Sequence, residues 1–138
     1  MEELALRGAK TSAFAATPDE AIAIDVSFGD GPEISPNDCG KMGRGAMIGI
    51  SPVLSRDISD KLIHLASDNN IPYQTEVMGK STGTDADVIS VTKSGVKTGL
   101  VSIPLRNMHT DCEIISLSDI KSVCDLLEAY IKGGGLNG

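Results

Sequence analysis

Apolar residues in this chain come in short runs divided by glycine, proline and small polar residues, and the runs change period along the sequence. Residues 4–15 have a helical composition, weakened in the middle by Gly8. Beyond Thr17-Pro18-Asp19, the run Ala21-Ile22-Ala23-Ile24-Asp25-Val26-Ser27 predicts a strand buried on both faces, with Asp25 near its C-terminal end. Residues 28–45 hold five glycines and two prolines and predict a loop. It carries no nucleotide fingerprint, because Gly40-Lys41 is followed by Met42 where a phosphate loop needs Ser or Thr. Residues 46–51 predict a second strand. Ser55 or Asp57 caps a helix that runs to about Asn69, with Ile58, Leu62, Ile63 and Leu65 as its apolar positions. A third strand is expected over 72–78, a polar loop over 79–85, and a short helix over 86–92 that Asp85 caps. A fourth strand follows over 97–105, then an irregular polar stretch over 107–113 and a short apolar one over 114–117. Ser118 is a fair N-cap for a last helix whose face is Val123, Leu126, Leu127, Tyr130 and Ile131. Gly133-Gly134-Gly135 stops it and opens a floppy tail.

Strands alternating with helices imply an α/β layer fold with a largely parallel sheet. The 138 residues suit one domain. With no Trp, two Phe and two Tyr, the core must be aliphatic, and there is no aromatic platform for stacking bases. The net charge of −7, with Lys and Arg scattered singly, argues against nucleic acid and anionic membranes as partners. No apolar run is long enough to cross a membrane. Three cysteines, Cys39, Cys112 and Cys124, make no disulfide framework, and a cytoplasmic location is the natural expectation.

The candidate chemistry lies at element ends. Glu2 and Glu3 precede the first helix, Asp25 ends a strand, Asp85 lies in a turn, and His109 follows the fourth strand. In parallel α/β sheets, ligands gather beyond the carboxyl ends of strands. Carboxylates and an imidazole meeting there suit a divalent ion such as Zn, Mn or Co, with a spare carboxylate as general base. Taken one at a time, the same residues suit turns, caps and solvated surface. His64 reads as a surface residue and Cys112 as a small buried side chain.

Longer motifs shift the balance. Glu2-Glu3-Leu4-Ala5-Leu6-Arg7-Gly8-Ala9 resembles the Glu-Glu-Val-Gly-Leu-Arg-Gly-Ala motif of the tetrahedral and glutamyl aminopeptidases and of proteins labelled endoglucanase M. Ala23-Ile24-Asp25-Val26 is similar to that family's metal-binding strand, and Gly43-Arg44-Gly45-Ala46 to its Gly-Lys-Gly-Pro turn. Ile71-Pro72-Tyr73-Gln74 and Gly83-Thr84-Asp85-Ala86 also match. Residues 102–110 resemble its Ile-Pro-Leu-Arg-Tyr-Met-His-Ser/Thr segment. The resemblance implies a three-layer α/β sandwich of the phosphorylase/zinc-peptidase type around a largely parallel or mixed sheet. It implies removal of N-terminal residues from peptides with two divalent cations, Zn, Co or Mn. It makes Glu2 the general base, Glu3 and His109 ligands of one cation and Asp25 a ligand of the other. Arg7, Asp85 and Arg106 would be substrate-facing or supporting residues. A homo-oligomer is implied as well, since the family builds large shells.

The match also has gaps. A further histidine and a bridging carboxylate of the family lie upstream of the Glu-Glu motif, which here follows Met1 directly. Ala5 stands for Gly and Asn107 for Tyr. The expectation is therefore an incomplete catalytic domain: residues 1–132 form its C-terminal portion, 133–138 a flexible tail, and the chain alone is weakly active or inactive. Two other readings compete with this one. Paired carboxylates can also hydrolyse glycosidic bonds, although without Trp and with only two Phe and two Tyr there is no aromatic platform to stack sugars. A non-catalytic assembly or interaction module would keep the fold without the cations.

Overall fold

The computed structural model describes residues 5–31, 34–35 and 39–137. The elements run α1 (Arg7–Ala16), β1 (Glu20–Phe28), β2 (Ala46–Ile50), α2 (Arg56–Asp68), β3 (Tyr73–Val77), α3 (Ala86–Ser90), β4 (Lys97–Arg106), β5 (Ile114–Ile115) and α4 (Leu117–Lys132). A short 3-10 turn, Gly135–Asn137, follows.

The sheet order is β1-β4-β2-β3, with β5 pairing β4. β1 runs parallel to β4 from Glu20 opposite Lys97 to Phe28 opposite Leu105. β2 and β3 are parallel, but β2 meets β4 antiparallel, with Met47 opposite Ser102. The sheet is thus mixed. Helices cover both faces, which makes three layers. On one face α2 and α4 pack Ile58, Leu62, Val123 and Leu126 against Ile48 and Val101. The four-residue spacing of Ile58, Leu62 and Ala66 sets the buried stripe of α2. Each large aliphatic side chain buried there contributes roughly 1.5–3 kcal/mol. The other face is thinner: Ala23, Leu100, Leu54 and Ala86 form a small cluster beneath α3, and α1 packs on α3.

Several expectations are corrected. β1 is an edge strand rather than a strand buried on both faces. Ile24, Val26 and Phe28 are 56%, 36% and 48% exposed, while Ala23 on the opposite face is buried. The unbroken apolar run hid an alternation that only the sheet order discloses. α1 starts at Arg7, α3 stops at Ser90, and α4 begins after Ser116, two residues before the expected cap. Cys112 is exposed, not buried. Beyond α4, Gly135 and Leu136 bond back to the fold. The Leu136 N–H donates to the Glu20 carboxylate at 3.1 Å, and Lys61 donates to the Gly135 carbonyl. Glu20 also accepts from the Tyr130 hydroxyl at 3.1 Å. Burial, aided by Glu20, pushes the Tyr130 phenol up to about 12.

Candidate active-site cavity

On the thin face, the odd-numbered side chains of β1 and the even-numbered ones of β4 and β3 point the same way. Near Asp25 they are capped by no helix among the described residues. A cavity of about 680 Å³ opens there, lined among others by Asp25, Ser102, Glu76, His109 and Glu113. The architecture accounts for each side chain. Asp25 lies opposite Ser102 in the β1–β4 ladder. One of its carboxylate oxygens accepts the Val26 N–H at 2.7 Å. Glu76 comes from β3 beside Gly49 of β2, so no side chain on β2 stands in front of it. The Ser27 hydroxyl donates to Glu76 Oε1.

His109 comes from the loop after β4. That loop turns back through two left-handed residues, Asn107 (φ 58) and His109 (φ 62). Asn tolerates this conformation well and His is enriched there among non-glycine residues. The Asn107 side-chain amide donates to the Cys112 carbonyl at 3.0 Å, and the Thr110 hydroxyl to the Asn107 carbonyl at 2.7 Å. The His109 N–H donates to Glu113 at 2.7 Å. An unfavourable backbone state held by such a set of bonds is a common attribute of functional loops.

Of the residues singled out in the sequence, Asp25 and His109 therefore share one cavity although 84 positions separate them in the chain. Leu6, just ahead of α1, lines the same cavity. Glu2 and Glu3 lie outside the described residues. Arg106 lies at the end of β4 and pairs with Asp30 at 3.0 Å, joining the loop after β1 to the strand that leads to His109. The Met42 N–H, followed by the Arg106 guanidinium, holds the Asp30 carboxyl below the usual carboxylate range. Asp85 sits ahead of α3 without a side-chain capping bond, lining a separate groove beside α1 and β1. Arg7 opens α1 and is exposed. His64 is exposed on α2, as expected. Among the described residues no group of three His, Cys, Asp or Glu side chains is close enough to hold a metal ion.

The sequence reading missed Glu76, Glu113 and Asp119. Glu76 was legible in one respect: Gln74 and Glu76 alternate with Tyr73 and Thr75, and a polar set at period two on a strand under a helix-poor face marks a wet cavity. Asp119, fully buried in the first turn of α4, accepts the N–H groups of Gly43 and Gly45 at 2.7 and 2.8 Å and so fixes the glycine turn that leads into β2.

The chain is similar to known proteins in sequence and in fold. A provisionally described aminopeptidase of Acetivibrio thermocellus is 42% identical over 130 residues, covering 91% of this chain and 39% of its own length. The solved aminopeptidase APDkam598 of the archaeon Desulfurococcus kamchatkensis is 33% identical with a TM-score of 0.91, covering 99% of this chain and 40% of its own. The TET1 peptidase of Pyrococcus horikoshii, which assembles into a tetrahedron or a large octahedral shell, is 34% identical with a TM-score of 0.74, covering 94% and 38%. The chain thus spans about two fifths of the length of these relatives. Residues 1–126 match the family model for M42 glutamyl aminopeptidase, and with the fold in agreement the chain belongs to that family.

Proposed function

We propose that this chain contributes to a metal-dependent aminopeptidase that removes N-terminal residues from peptides, with Asp25 and His109 as cation ligands and the cavity between them as the reaction site. The observation that supports it most is the convergence of those two side chains on one cavity from distant parts of the chain. A carboxylate and an imidazole are a donor set suited to Zn, Co or Mn. Glu3 would join His109 on one cation, Asp25 would serve the second, and Glu2 would be the general base. Bound divalent cations supply Lewis acidity, which makes water nucleophilic at neutral pH and stabilises negative charge on the attacked carbonyl.

The remaining steps fall to the protein's own groups. The cavity orients the peptide end, Glu2 takes a proton from water, and the same carboxyl returns it to the leaving amine. Three carboxylates on the described walls, Asp25, Glu76 and Glu113, make the cavity attractive to cationic groups. Assembly into a homo-oligomer follows the precedent of the TET1 peptidase. No helix among the described residues is long and apolar enough to cross a membrane.

The test is calorimetric titration of Zn or Co into the protein, beside the Asp25→Asn and His109→Asn variants, with release of N-terminal residues followed in parallel. Each substitution is expected to weaken cation binding at least tenfold. Unchanged binding in both variants would remove the reading.

A further inference from the structure

Two residues that line the cavity, Glu76 and Ser102, each carry a buried side-chain oxygen, Oε2 and Oγ, with no hydrogen-bond partner among the described residues. Ser102 is only 1% exposed and lies directly opposite Asp25 in the β1–β4 ladder. The second oxygen of Glu76 is already engaged by the Ser27 hydroxyl. An unpartnered buried acceptor costs about 1–3 kcal/mol, more when it is charged. Native folds keep such atoms where something else completes them.

The chemistry of the missing partner follows from what is left over. A carboxylate oxygen and a hydroxyl oxygen both accept, and the carboxylate adds negative charge. The Ser102 hydroxyl is not among the Cys, His and carboxylate donors that bind such divalent ions as Zn. An ammonium group has three donors on a compact positive centre, which two or three acceptors satisfy. Gly49, the register partner of Glu76 on β2, carries no side chain, and Leu100 and Leu54 already fill the place a Cβ there would take, each at 3.0 Å.

We infer that Glu76 and Ser102 form the subsite that takes the protonated amino terminus of the peptide, with Ser27 holding the Glu76 carboxylate in place. This rests on the aminopeptidase reading and adds to it the group that distinguishes a free N-terminus from a blocked one.

Leucinamide and N-acetyl-leucinamide are the probes, titrated into the 138-residue chain and followed by calorimetry and amide chemical shifts. The titration is run near pH 6.5, below the α-amine pKa of about 7.7–8.0. The free amine is expected to bind at least tenfold more tightly than the acetylated probe. Glu76→Gln should abolish that preference, and Ser102→Ala should weaken the free amine several-fold while leaving the thermal midpoint unchanged or higher. Equal binding of the two probes by the unmodified chain, or an undiminished preference in Glu76→Gln, overturns the inference. Cation titration of Asp25→Asn in the same preparation separates the two claims. If Asp25 matters to cation binding but Glu76 does not matter to the amine, the subsite alone falls. If the amine preference depends on Glu76 while Asp25 and His109 are indifferent to cations, the metal reading falls instead.

Discussion

Replacing Asp119 with Ala should remove a large part of the stability of this fold. The carboxylate is fully buried and receives two backbone N–H groups, from Gly43 at 2.7 Å and Gly45 at 2.8 Å. Hydrogen bonds to a charged group contribute about 1.5–3 kcal/mol each. Their losses are unequal. Gly43 is exposed, so water can replace the carboxylate there. Gly45 is buried, so its N–H would be stranded at a cost of about 1–3 kcal/mol. The sum is about 3–4 kcal/mol, against a total of about 5–15 kcal/mol for an ordinary domain. With a urea slope of about 1–3 kcal/mol per M, the unfolding midpoint should fall by about 1–3 M. Equilibrium urea denaturation followed by far-ultraviolet circular dichroism measures this directly. Asp119→Asn should lose about half as much, because its amide oxygen keeps one bond while its NH₂ group faces the other N–H. A loss below about 1 kcal/mol for the alanine variant, or none for asparagine, would refute the claim that this carboxylate holds the turn to α4.

Gly45 has φ 95, and a Cβ there would lie 1.9 Å from the Pro72 carbonyl oxygen. Gly45→Ala should therefore cost several kcal/mol, at least about 3 by the precedent of strained backbone combined with overpacking, read from the same denaturation curves. Tyr130 ionises late, near 12 rather than 10.0. Since its folded-state value is the raised one, its contribution to stability is intact below pH 10 and is lost as pH climbs from 10 towards 12; phenolate absorbance in a Tyr73→Phe background should show the step. Val26, 36% exposed on the edge strand β1, is a site where Lys should reduce self-association in light scattering with little change in thermal midpoint, because charge on an edge discourages strand pairing. If scattering is unaltered, that edge does not mediate the association.

The long, strongly periodic elements were legible from the sequence. α2 buries Ile58 and Leu62, and α4 buries Val123, Leu126 and Tyr130, as their spacing predicts, but Ile131 at the end of the expected α4 face is 74% exposed; β2 and β4 are apolar runs that occupy the centre of the sheet. β1 was misread because Ala21 to Val26 is apolar on both faces, and nothing local distinguishes an edge strand from a central one. α4 starts earlier than expected, after Ser116, which makes no side-chain capping bond; its hydroxyl lies 2.7 Å from that of Ser118 instead. At the site, the family resemblance named Asp25 and His109, and both line a single cavity. Glu76 and Asp119 escaped notice because their roles depend on partners 49 and 76 or fewer positions away. Only the folded chain brings such partners into contact.

Asp25 rides on a ribbon stitched along its length to β4, with its other flank bonded among the described residues at the far end, where the Gly40 N–H donates to the Phe28 carbonyl at 2.8 Å. Such a ribbon opens more readily than one laced along both flanks, so amide exchange along β1 should outpace that of β4. Whatever lies against the rest of that other flank would narrow the positions open to Asp25. By thermodynamic reciprocity, filling the cavity would then tighten that lateral contact by the same factor.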